Sequence, residues 1–194
     1  MNKKQLLEIS KSFDCYVNLY DNKKYPKDIY KKTRVVFSSK KSNNTEIANA
    51  LNWKYGNIGK ADYPQSHKSI IKEVENSWKH FVSSNAISYP KDTFEWWKSR
   101  LSKGKSSRFV TIAFITHLIH HEKDVPIIDQ HNYRAMNYFK NNSVLSPDAK
   151  KNPSNWDDIE CLKGFISDIS KSLNKKNNEV DKYLMMFGKE LKKK

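Results

Sequence analysis

A single carboxylate stands at the boundary between an apolar segment and a helical pattern, where it can take part in chemistry. Asp129 directly follows Pro126, Ile127 and Ile128 and precedes a segment with helical spacing of apolar residues. A carboxylate held rigidly at the edge of a core can stabilise a developing positive charge or activate a water molecule. The alternative is a plain N-cap, in which the side chain accepts hydrogen bonds from the first amides of the helix.

A turn rich in glycine, serine and lysine precedes the most apolar part of the chain. Such a turn at a helix start presents unpaired backbone N–H groups and the positive end of the helix dipole, which together bind phosphate or a DNA strand. The alternative is an ordinary helix start with solvated lysines. The candidate residues are Lys103, Gly104, Lys105, Ser106, Ser107 and Arg108.

Two further clusters have chemistry-bearing residue types. His117, His120 and His121 share one helical face, and a metal site there would suit a metal-dependent phosphohydrolase using His117 and His121. The alternatives are phosphate contact or a favourable interaction with the helix C-terminus.

A second loop interleaves aromatic and basic residues and can stack a flipped base or, alternatively, pack on the core; its candidates are Trp53, Lys54, Tyr55 and Asn57.

The composition favours a polyanion partner. The 194 residues carry a formal charge of +15, which suggests nucleic acid, although the excess of lysine over arginine is equally consistent with a coding bias. No apolar run is long enough to span a bilayer, and the N-terminus lacks the apolar stretch of a signal peptide. We therefore expect an intracellular protein that does not insert into a membrane, with nucleic acid as its suggested partner.

The elements that must position these residues are predicted to be helices. Apolar residues recur at helical spacing almost throughout, which predicts an all-α bundle of about eight helices in a single domain over residues 1–194. Residues 107–121 are apolar on most faces and predict a buried central helix. The N-terminal segment 1–44 has one short apolar stripe and is otherwise expected to be irregular, with Val35–Phe37 as a strand candidate.

The segment from Pro126 to Ala135 resembles the signature of the helix–hairpin–helix DNA glycosylase superfamily. The aspartate at 129, the histidine two residues later and the arginine five residues later fall in the family's order. The apolar helix and the preceding Gly/Lys/Ser turn also match that order, so the resemblance covers residues 100–140. It implies a compact glycosylase-like fold in which the hairpin, the buried helix and the aspartate helix occupy this span.

The resemblance also implies a role for each matched residue. Asp129 corresponds to the catalytic aspartate, the turn Lys103–Arg108 to the hairpin that holds DNA phosphates, and His131 and Arg134 to structural or backbone-contacting positions. The target base would be flipped out of the duplex. These roles imply a monofunctional glycosylase that acts on double-stranded DNA, in base excision repair or in phage defence against hypermodified DNA. With such a role we expect a monomer in a bacterial-type cytoplasm, associated with the nucleoid.

The departures from the family pattern narrow this expectation. The turn has one glycine and no proline, and residues 109–111 contain no lysine, so water is the expected nucleophile unless Lys103 or Lys105 reaches the sugar. The iron–sulfur cysteines of some members are missing, and no cofactor or metal is expected. The alternatives are a noncatalytic DNA-binding module of the same fold and the metal-dependent phosphohydrolase.

Overall fold

A computed structural model describes residues 1–23, 25–102, 108–142, 144 and 152–192 of the chain. These residues contain nine α-helices and two short 3-10 helices, and they contain no strand, which confirms the all-α class. The α-helices are α1 (Lys3–Asn18), α2 (Lys27–Ser38), α3 (Asn44–Tyr55), α4 (Gln65–Val82), α5 (Pro90–Leu101), α6 (Phe109–Ile119), α7 (Gln130–Lys140), α8 (Trp156–Leu173) and α9 (Asn177–Leu191).

The chain divides into two compact units. Unit 1 comprises Met1–Tyr20 and Pro126–Lys194, so that α1 joins α7, α8 and α9, whereas unit 2 comprises Asp21–Val125 and contains α2 to α6. Compact units of this kind occur inside one folding domain as well as in separate domains. The expectation of a single domain therefore stays a prediction, and each unit is described by itself.

Unit 1 is organised around α7 and α9. Phe139 of α7 is fully buried and its ring stacks on Phe187 of α9, with centroids 5.0 Å apart. The α1 side chain of Gln5 donates a hydrogen bond to the Phe139 carbonyl, which satisfies an orphan acceptor in the last turn of α7. The two helices approach so closely that a Cβ at Gly188 of α9 would lie 1.9 Å from the carbonyl oxygen of His131.

Unit 2 has the predicted apolar helix as its centre. Ten of the eleven residues of α6 are buried, and only Val110 is half-buried, which confirms the prediction of a central buried helix. A helix without a polar face has to be surrounded by other elements. Here α2, α3 and α5 pack against it.

The expectation of an irregular N-terminal segment with a strand at Val35–Phe37 is wrong. Residues 3–18 and 27–38 are helical. Thr33 and Phe37, four residues apart, are both buried on one face of α2, whereas Val35 lies on the other face and is 67% exposed. The β-branched pair Val35 and Val36 favours a strand only weakly, and burial of the helical face outweighs that preference. The hydroxyl of Thr33 donates to the Ile29 carbonyl, so its polar group is satisfied within the helix.

None of the described helices is both long enough and apolar enough to cross a membrane.

Candidate functional site

Asp129 is the N-cap of α7 and its carboxylate is firmly oriented. Its Oδ1 accepts hydrogen bonds from the backbone N–H groups of His131 (2.7 Å) and Asn132 (3.1 Å). Its own N–H donates to Asn132 Oδ1 at 2.9 Å, which completes a capping box. Within the described part of the chain, Oδ2 accepts no hydrogen bond, and the residue is half-buried. One carboxylate oxygen is therefore fixed by the backbone while the other keeps its capacity to interact with a substrate or a water molecule.

Asn132 is the residue that holds the Asp129 backbone in place. Its side-chain amide is buried and donates to the carbonyl of Ile127 and to Asp181 Oδ1, the latter at 3.0 Å. Its amide oxygen accepts the hydrogen bond from the Asp129 N–H. Asn132 thus connects the chain before the cap, the cap itself and helix α9, which makes it a positioning residue for the carboxylate. The family signature contains no such asparagine, so the resemblance gave no signal for it.

His131 and Arg134 follow Asp129 in the first turns of α7, in unit 1. Burial lowers the pKa of His131 below its usual value, and the positive charges of Lys189, Arg134 and Lys192 lower it further, although Asp129 opposes the shift. Arg134 Nη1 donates to the Gly188 carbonyl at 3.0 Å and lies 3.4 Å from His131 Nδ1. Because arginine only donates, His131 Nδ1 accepts, and the neutral ring carries its proton on Nε2. Arg134 therefore holds α9 against α7, and its contact with DNA stays a prediction.

The turn predicted to bind DNA phosphates, Lys103–Arg108, lies mostly outside the described part of the chain. Residues 103–107, which include Lys103, Gly104, Lys105, Ser106 and Ser107, are not among the described residues. Arg108 is the N-cap of α6 in unit 2, and its positive charge acts on Tyr55. Their role in DNA binding stays a prediction.

Trp53, a candidate for stacking a base, is part of the core of unit 2. It is 6% exposed, and its ring stacks on Tyr30 and Phe114 at centroid distances of 5.0 and 5.7 Å. Its indole N–H donates to the Pro26 carbonyl at 3.0 Å. The Nζ atom of Lys54 lies over the Phe114 ring, 5.4 Å from the ring centroid. The alternative given for this loop, packing on the core, describes Trp53 in this structure.

Tyr55 and Asn57 lie together with His67, a residue that the sequence did not indicate. The ring of Tyr55 stacks on the His67 ring with nearly parallel planes and a centroid distance of 4.0 Å. The Tyr55 hydroxyl forms a hydrogen bond of 2.7 Å with the Thr111 hydroxyl. Asn57 is buried, and its side-chain nitrogen lies 3.1 Å from His67 Nδ1. Burial raises the pKa of Tyr55 and lowers that of His67, so both rings are uncharged at neutral pH. One face of Tyr55 is thus already occupied by another ring.

The three histidines in and directly after the last turn of α6 have intramolecular partners rather than an arrangement for metal. His117 Nδ1 lies against the Val125 carbonyl, so it must donate, and Nε2 therefore accepts from the Tyr30 hydroxyl. His120 pairs with the Thr93 hydroxyl at 2.8 Å, and both histidines are buried. Among the described residues, no group of three or more His, Cys, Asp or Glu side chains is placed to share an ion. His117 and His121 therefore give no support to the phosphohydrolase alternative.

The buried His117 predicts a loss of stability in acid. Burial lowers its pKa from 6.5 to about 3, so between these pH values the unfolded chain binds a proton that the folded chain does not. The stabilisation is complete above pH 6.5 and is lost as the pH falls towards 3, at up to about 1.4 kcal/mol per pH unit for this one histidine. Urea unfolding between pH 7.5 and 5 measures the slope.

The variant His117→Phe tests whether this histidine causes the slope. We expect it to be less stable at pH 7.5, because the Tyr30 hydroxyl and the Val125 carbonyl lose their partner, but to lose less stability on acidification. The control His80→Phe replaces an exposed histidine of the same unit and should keep the wild-type slope. Parallel pH curves for wild type and His117→Phe would contradict the prediction.

The likeness to known proteins does not extend beyond the short signature. No protein-family model matches this chain, and neither does any curated protein or any solved structure. The resemblance therefore rests on residues 126–135 and on the order of the elements before them.

Proposed function

We propose that this protein is a monofunctional DNA N-glycosylase with a compact helix–hairpin–helix glycosylase-like fold. The observation that carries the proposal is the Asp129 carboxylate, which is held by two backbone amides through one oxygen while the other has no partner among the described residues. Preorganised negative charge of this kind stabilises positive charge that develops in a transition state. Breakage of an N-glycosidic bond creates such charge on the deoxyribose ring.

The reaction follows from this arrangement. The target nucleotide leaves the stack, and the bond between C1′ and the base nitrogen breaks with its electron pair going to the base. Asp129 Oδ2 faces the cationic sugar and orients a water molecule, whose oxygen bonds to C1′. The water releases one proton to solvent, and the anionic base takes up one proton and leaves neutral. The neutral state of His131 supports this role, because a protonated ring beside the carboxylate would cancel part of its charge.

The positive charges near the carboxylate support duplex DNA as the partner. The positive charges of Lys189, Arg134 and Lys192 act on His131 and lower its pKa, so three cationic side chains lie near the N-terminal end of α7. Cations at this position attract phosphates, and the overall charge of +15 adds salt-dependent attraction along the chain. The chain would act as a monomer on the nucleoid, either in base excision repair or in phage defence.

The assay for the proposed function uses duplex oligonucleotides that each carry one damaged or hypermodified base. Incubation with the full chain should release the free base from at least one substrate, and alkali should then break that strand at the abasic site. Without alkali the strand should stay intact, because residues 109–111 contain no lysine to attack the sugar. Tight, salt-sensitive binding without base release from any substrate would contradict the proposal and favour a noncatalytic DNA-binding module.

A further inference from the structure

A lysine and a cysteine of unit 1 lie in unusually close contact outside the candidate site. Lys140 Nζ is 2.6 Å from Cys161 Sγ. This is shorter than even hydrogen bonds between nitrogen and the smaller oxygen atom, which span about 2.7–3.2 Å. By contrast, two backbone atoms bonded to one shared neighbour, such as N and C across a Cα, lie about 2.5 Å apart. The separation is therefore one that a single bridging atom spans.

The packing of α7 on α8 places this pair opposite each other. Two turns before Lys140, the hydroxyl of Tyr133 donates to Asp158 Oδ1 at 2.7 Å. Asp158 is also fixed by the N–H groups of Ser154 and Asn155, in the capping box that starts α8. Cys161 lies one turn after Asp158, on the same side of the helix. The buried hydrogen bond between Tyr133 and Asp158 fixes how α7 lies against α8. It thereby brings the Lys140 amine to the Cys161 thiol.

We propose that Lys140 and Cys161 form an oxidative modification site, in which one oxygen atom bridges the lysine nitrogen and the cysteine sulfur. Lys140 is exposed and Cys161 is half-buried, so a small peroxide can reach both. The bridge joins the last residue of α7 to the second turn of α8. It closes a covalent ring across the connection between these helices and therefore restricts the unfolded chain.

The chemistry balances with hydrogen peroxide as the oxidant. One peroxide oxidises the thiol to a sulfenic acid and is reduced to water, and a second oxidises the neutral amine to a hydroxylamine, again releasing water. The hydroxylamine oxygen then bonds to the electrophilic sulfur. The sulfenic hydroxyl leaves with the hydroxylamine proton as a third water. Sulfur and nitrogen are each oxidised by two electrons, and two peroxides are reduced.

Mass spectrometry of the full chain after treatment with hydrogen peroxide tests this site. The experiment is done in a Cys15→Ser background, which excludes a disulfide with Cys15, the other cysteine of the chain. The expected product gains one oxygen and loses two hydrogens, and a tryptic digest contains one linked peptide pair uncleaved at Lys140. Dithiothreitol should reverse the product, and the linked form should melt a few degrees higher than the reduced form.

Two substitutions distinguish the bridge from simple thiol oxidation. Lys140→Arg keeps the positive charge but removes the primary amine, and Cys161→Ser removes the sulfur, so neither should give the linked peptide or the reversible rise in melting temperature. The proposal is overturned if the same product forms in Lys140→Arg. It is also overturned if the linked peptide gains no oxygen, or if Cys161 is recovered only as sulfenic, sulfinic or sulfonic acid.

Discussion

Replacement of Asp129 by asparagine should reduce base excision by a factor on the order of 10²–10⁴ while leaving the fold intact. The amide side chain has no negative charge to stabilise a cationic sugar. Its oxygen can still accept from the N–H groups of His131 and Asn132, and asparagine is as good an N-cap as aspartate. The melting temperature should therefore stay close to that of the wild type. The rate of free-base release on a single-turnover substrate is the measurement.

A matched control separates this effect from the change in net charge. Asp157 is an exposed aspartate in the first turn of α8, in the same unit, and Asp157→Asn makes the same charge change. We expect it to excise at the wild-type rate. Asp129→Asn should also bind DNA at least as tightly as the wild type, because a negative charge is removed near the phosphates. Excision at the wild-type rate by Asp129→Asn would rule out the assigned role of this carboxylate.

Gly188→Ala should cost about 3 kcal/mol or more in the free energy of unfolding. The added Cβ would lie 1.9 Å from the carbonyl oxygen and 2.6 Å from the carbonyl carbon of His131. These are backbone atoms inside α7, so no rotamer change relieves the overlap, and α7 and α9 must move apart. The helical preference of alanine over glycine returns only about 0.5–1 kcal/mol. Urea unfolding monitored by circular dichroism measures the difference.

Gly164→Ala is the matched control for this prediction. Gly164 also lies within a helix of unit 1, but it is exposed, and a Cβ there would have no atom within 4 Å. The substitution should stabilise the chain by about 0.5–1 kcal/mol. The two substitutions should thus change stability in opposite directions, and a similar effect from both would contradict the close approach of α9 to α7. Because His131 is two residues from Asp129, Gly188→Ala should also impair excision in the fraction that stays folded.

The local features of the chain were accessible from the sequence. The N-cap role of Asp129 depends on residues within three positions of it, and the burial of α6 depends on an apolar pattern within that helix. Such signals act over one or two turns, where residue type and spacing determine which hydrogen bonds and faces are available. The helical class follows from the same kind of signal.

The partners of these residues were decided only by the tertiary structure. Tyr30 occupies the Nε2 of His117 from 87 residues away, and this contact removes the histidine from the set of metal-ligand candidates. The helix at Lys27–Ser38 forms against the local preference of Val35 and Val36, because it buries Phe37.

The same limit applies to the surroundings of the candidate carboxylate. The sequence determined that Asp129 begins a helix, whereas the packing of α9 decided that Arg134 donates to the Gly188 carbonyl and that Asn132 reaches Asp181. Contacts between residues some 50 positions apart depend on how whole helices pack, and no short pattern in the chain encodes them.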